Sequence, residues 1–124
     1  MNNVALAHSA YGVSQAPVRS ERSIEYQAFA KVTHALIAVQ GEENPSVQAI
    51  EAIHENRRLW NIVAVDVATE GNGLPAELRA GLFSLSQFVA QHSSAVLKNS
   101  KDVSALIEVN RIVMRGLADD AGAG

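Results

Sequence analysis

Apolar residues recur at three- and four-residue intervals along most of the chain, the spacing of one face of an α-helix. Ile24, Ala28, Val32, Ala35, Leu36 and Val39 form the first stripe, widened by Tyr26, Phe29 and Ile37, and predict a helix over residues 20–40. Glu21 and Glu25 fall in or near its first turn, where the helix dipole favours negative charge. Gly41 to Pro45 ends it, with Gly41 as the expected C-terminal cap. A second helix is predicted over 45–69, opened by Asn44 as N-cap and Pro45 at the first helical position. Val47, Ile50, Ile53, Trp60, Ala64 and Val67 are its expected inner side, and Leu59, Ile62 and Val63 adjoin it.

The run from Ile62 to Val67 is rich in β-branched residues and also reads as a strand. No second run stands nearby to pair with it, so the helix is preferred. Gly71-Asn72-Gly73-Leu74-Pro75 then breaks the pattern. In the third helix, Leu78, Leu82, Leu85, Val89, His92 and Val96 alternate four-three-four-three-four, a heptad-like seam flanked by Phe83 and Phe88. Asn99 or Ser100 closes it, and Ser100 or Asp102 caps a fourth helix over 102–117. The face of that helix is Val103, Leu106, Ile107, Asn110, Val113, Met114 and Leu117. Residues 1–19 read as a loose N-terminal arm in which Val4, Leu6, Tyr11 and Val13 remain able to dock, and 118–124 as a disordered tail. The expected fold is all-α: a compact bundle of about four helices over residues 20–117.

Composition narrows the function. The chain has 124 residues, 48% of them hydrophobic and only 5% aromatic, which suits one domain packed through Leu, Val, Ile and Ala. Its net charge of −3 argues against a protein whose affinity comes from neutralising phosphates. Cysteine is absent, which removes disulfides, thiolate metal sites and cysteine nucleophiles. No stretch reaches the ~20 apolar residues of a membrane span, and Met1 to Ala10 lacks the form of a secretory signal. Cytoplasm is the expected compartment.

Little catalytic chemistry is legible. His8, His34, His54 and His92 share no helix turn, so no metal site is expected. A histidine in a helical bundle can serve phosphotransfer, but Ser93 to Lys98 lacks the Lys-Gly pattern that follows such a histidine. His92 is expected instead to be half-buried and hydrogen-bonded locally. The pairs Glu42-Glu43, Glu51-Glu55 and Asp119-Asp120 read as solvated charge. There is no phosphate-binding loop or nucleophile elbow, and no cofactor is expected. The most distinctive segment is Asn56-Arg57-Arg58-Leu59-Trp60, with the only Trp and an adjacent Arg pair. Trp60 is read first as a core anchor. The functional alternative is a contact patch, because Trp and Arg are enriched where interfaces hold most of their energy. Tyr26, Phe29, Arg57, Arg58 and Trp60 are therefore the candidate partner-binding residues.

Several blocks together resemble one family. Ile24-Glu25-Tyr26-Gln27-Ala28-Phe29-Ala30-Lys31-Val32-Thr33-His34-Ala35-Leu36 is similar to the first helix of the flagellar biosynthesis regulator FlaF family. Asn56-Arg57-Arg58-Leu59-Trp60 resembles its NR-x-LW segment. Asn72-Gly73-Leu74-Pro75, Leu78-Arg79-Ala80-Gly81-Leu82 and Ser84-Leu85-Ser86 resemble its N-x-LP…LRA-x-L-x-SL stretch, with Phe88-Val89, His92 and Ala10-Tyr11 also matching. The resemblance covers roughly residues 10–97, and the segment after Lys98 reads as an addition particular to this chain. It implies a non-enzymatic cytoplasmic factor of flagellated alphaproteobacteria that supports flagellin production and secretion, paired functionally with the repressor FlbT. A flagellin-binding chaperone fits the residues best, because a small bundle can capture an amphipathic helix. The alternative is a post-transcriptional regulator that binds flagellin messenger RNA, with or through FlbT.

Overall fold

The computed structural model of the chain describes residues 18–42, 45–99 and 102–123, with side chains over 25–42, 45–98 and 102–117. Four helices account for nearly all of it: α1 (Val18–Ala38), α2 (Val47–Ala68), α3 (Ala76–Asn99) and α4 (Ser104–Ala123). No strand occurs among the described residues, and Ile62 to Val67 are helical. The expected arm lies outside the described residues up to residue 17. α4 continues to Ala123, past its expected close at Leu117.

The caps explain the boundaries. Asn44 was the expected N-cap of α2, but Ser46 fills that role: its hydroxyl accepts from the Ala49 amide at 3.0 Å. Ser46 sits with extended backbone angles (φ −76°, ψ 170°), as an N-cap requires, and Pro45 precedes it as the lead-in. Asp102 closes the start of α4, where its Oδ1 accepts from the Ser104 amide at 3.2 Å. The α2–α3 connection is held by Asn72. Its Nδ2 donates to the backbone carbonyl and Oδ2 of Asp66, while its Oδ1 accepts from the Leu74 amide. Gly71 and Gly73 flank it at φ 82° and 91°, angles that a side chain resists.

The helices pack as a ring in which each contacts its neighbours in sequence and α1 also contacts α4. Contact is heaviest between α1 and α4 and between α2 and α3, and lightest between α3 and α4. Gln40 bonds Ser104 and Thr33 bonds Met114, so α1 ascends as α4 descends. Leu36, Ile53, Trp60, Val89 and Leu106 are fully enclosed at the centre. Burying each such side chain contributes ~1.5–3 kcal/mol, so these layers hold the bundle.

The inner face of α2 differs from expectation. Val47 is 73% and Ile50 47% exposed, whereas Ala49, Ala52, Asn56 and Val63 are buried beside Ile53, Trp60 and Val67. Close approach of α1 and α3 selects the small residues and one amide for the inside. The larger Val47 and Ile50 are thereby rotated outward. The third helix departs similarly at its start: Val89 and Val96 are buried, but Leu78 is 48% exposed.

Candidate partner-binding surface

The candidate residues separate by depth. Phe29 and Trp60 are 4% and 1% exposed and meet edge to face at 5.5 Å between ring centres. Both belong to the core. Tyr26 and Arg57 are half-buried. Arg58 projects to solvent with 70% of its side chain exposed, and its Nη1 lies 3.9 Å from Glu55 Oε1. An ion pair of that length and exposure holds the guanidinium only loosely.

Trp60 takes part in a polar layer that spans the bundle. Its indole Nε1 donates to Asn110 Oδ1 at 2.8 Å. The Nδ2 of Asn110 donates to Asn56 Oδ1 at 2.7 Å and to Thr33 Oγ1 at 3.0 Å. Thr33 in turn lies 3.7 Å from the Met114 sulfur. The layer so joined draws on α1, α2 and α4, and Ser93 is a further fully buried polar residue on α3. Asn56 Nδ2 and Ser93 Oγ have no hydrogen-bond partner among the described residues, so the layer is costly as well as specifying. The sequence reading placed Asn110 on an inner face but did not foresee this network. Its signal was an Asn inside each of two apolar stripes.

The surface that remains lies on the outside of α2. Val47, Ile50, His54, Arg58, Asn61 and Val65 recur at helical spacing along it, and each is exposed. Val47, Ile50 and Val65 leave 73%, 47% and 53% of their area in water. Arg58 stands in the middle of this partly apolar stripe. His92 on α3 is half-buried, stacked on Phe88 at 5.3 Å and 3.4 Å from the Asp102 carbonyl oxygen, the local structural role expected for it.

Among the described residues no three His, Asp or Glu side chains gather to hold a metal, and no helix is long and apolar enough to cross a membrane. A family model described as flagellar protein FlaF matches residues 7–117. The chain belongs to the FlaF family. The match corrects the expectation that the segment after Lys98 is an addition, since it takes in α4 as far as Leu117. The packing gives the reason: Asn110 of α4 bonds Asn56 and Trp60 of α2, so the first three helices lack a partner for their polar groups without it. No curated protein and no solved structure matches this FlaF-family chain.

Proposed function

We propose that this FlaF-family protein is a non-enzymatic cytoplasmic factor that binds flagellin as a chaperone, in support of flagellin synthesis and secretion. The observation that carries the reading is the exposed apolar stripe of α2 with Arg58 at its centre. Aliphatic side chains flanking a guanidinium suit the face of an amphipathic helix that carries a carboxylate. Among the described residues Arg58 is held by a long, solvated ion pair alone, which leaves it available to such a carboxylate. The net charge of −3 weighs against direct capture of messenger RNA.

The test is a titration of the purified protein with flagellin, followed by light scattering of the complex. A stable complex of defined stoichiometry supports the chaperone reading. Failure to bind flagellin, together with salt-sensitive binding to flagellin leader RNA, transfers the function to post-transcriptional control.

A further inference from the structure

The α2–α3 connection carries chemistry that the packing of the bundle does not use. Asn occurs eight times in the chain, and only Asn72 is followed by Gly. The order matters because a backbone nitrogen is a nucleophile toward the side-chain amide of the residue before it. A side chain on the attacking residue crowds that approach, and Gly has none. Gly73 is exposed, its φ is 91°, and a Cβ placed on it meets no atom within 4 Å. Its amide donates to no acceptor among the described residues, so no hydrogen bond opposes loss of its proton to solvent.

The Asn72 side chain is the opposite case, half-buried and bound at both ends. Its Oδ1 accepts from the Leu74 amide at 3.1 Å. Its Nδ2 donates to the Asp66 carbonyl oxygen at 3.1 Å and to Asp66 Oδ2 at 3.0 Å. These three contacts fix the side chain against the end of α2. Attack on Cγ requires that carbon to turn toward the Gly73 nitrogen and the amide to lose its planarity. The bonds from Nδ2 favour the planar amide, and both must break before that nitrogen can leave. The closed clamp therefore protects Asn72, and opening of the loop exposes it.

We propose that Asn72-Gly73 is a site of spontaneous deamidation, shielded while the clamp is closed, and that the reaction abolishes the clamp for good. In the open loop hydroxide takes the Gly73 amide proton, and the nitrogen forms a bond to Asn72 Cγ. The Cγ–Nδ2 bond breaks, the departing nitrogen takes a proton from water, and ammonia leaves behind a cyclic imide. Water then opens the imide at either carbonyl, giving aspartate or the isomer whose main chain runs through the side chain. No oxidant or reductant takes part. The product has no N–H to offer Asp66, and it sets a second carboxylate against the one already there. Like charges at that separation repel, so the clamp does not re-form. The proposal is independent of what the protein binds.

The test uses the full chain, incubated in mildly alkaline buffer either folded or in guanidinium chloride, with its peptides mapped by mass. In the denatured chain, conversion of amide to acid is expected to be faster at Asn72 than at any of the other seven Asn. In the folded protein, conversion at Asn72 is expected to be at least about tenfold slower than in the denatured chain, the factor that one hydrogen bond of ordinary net strength places on loop opening. Asn72→Asp, the reaction product made genetically, is expected to fold but to melt below the parent protein. Equal rates at Asn72 in the two states would overturn the shielding. Faster conversion at Asn99 than at Asn72 in the denatured chain would overturn the site, and an Asn72→Asp variant that melts with the parent would overturn the loss of the clamp.

Discussion

The indole nitrogen of Trp60 and the amide oxygen of Asn110 meet at 2.8 Å across the diagonal of the bundle, joining α2 to α4, two helices that share no close backbone contact. Asn110 answers three polar groups at once, those of Trp60, Asn56 and Thr33. Asn110→Ala leaves the buried Trp60 donor and Asn56 acceptor unpaired, at ~1–3 kcal/mol for each. The variant is expected to lose several degrees of Tm by thermal melting. Trp60→Phe is expected to be destabilising as well, because it leaves the buried Asn110 Oδ1 without its donor and opens a cavity where the indole was. If Asn110→Ala melts like the parent protein, the network contributes nothing to stability.

Ser93 offers the opposite sign. Its hydroxyl is buried without a hydrogen-bond partner among the described residues. Ser93→Ala removes that desolvated group and substitutes a better helix former, so it is expected to stabilise by about 1 kcal/mol. Chemical denaturation with an unchanged slope measures this, and a lower midpoint would refute it.

The two arginines of the same segment are expected to divide. Arg58→Ala, at an exposed position, should shift stability by no more than about 0.5 kcal/mol. It should weaken flagellin binding about tenfold or more, as interface arginines do. Arg57 is half-buried, and its replacement by Ala should act mainly on the melting curve. Paired melts and flagellin titrations decide it. Normal binding by folded Arg58→Ala would leave the α2 stripe without a role.

Leucines should rank by depth. Leu106 is completely enclosed, and Leu106→Ala is expected to cost ~2–5 kcal/mol. Leu85 is only partly buried, so Leu85→Ala should cost clearly less. Equilibrium unfolding of both variants checks the order, and a reversal would place the centre of the core nearer the start of α3.

The loop clamp is separately testable. Asn72→Ala removes the acceptor of the Leu74 amide and two contacts to Asp66. A loss of ~1–2 kcal/mol is expected, with faster hydrogen exchange at Leu74 and little change in the α1–α4 pair.

The contrast between α4 and α2 shows what the sequence could convey. On α4 the apolar spacing pointed inward correctly: Val103, Leu106, Ile107 and Asn110 are buried, and Val113, Met114 and Leu117 pack at their edge. On α2 the same rule chose Val47 and Ile50 over Ala49 and Ala52. Periodicity fixes the repeat but not its phase when large residues lie on both sides of a helix. Phase is set by how near the neighbouring helices come, which is a tertiary quantity. Trp60 was legible as a core anchor because a lone large aromatic in an aliphatic chain has most to gain from burial. Its polar partner was not, because Asn110 lies 50 residues away and nothing local links them. Arg57 and Arg58 could be known to diverge from their adjacency, but not which one would face water.

The pairing of the first helix with the last governs the order of events during synthesis. α2 and α3 are joined by a short connection and can associate as soon as both have emerged. Thr33 must wait for a partner 77 positions later, and closing so long a loop is entropically slower than closing a hairpin. A nascent chain truncated before Asn110 therefore holds three helices in which α1 has lost its most extensive partner, α4, and the Trp60 indole N–H has no acceptor in Asn110. Completion of the domain coincides with arrival of its final helix, so premature termination anywhere upstream yields an unfinished molecule rather than a smaller working one.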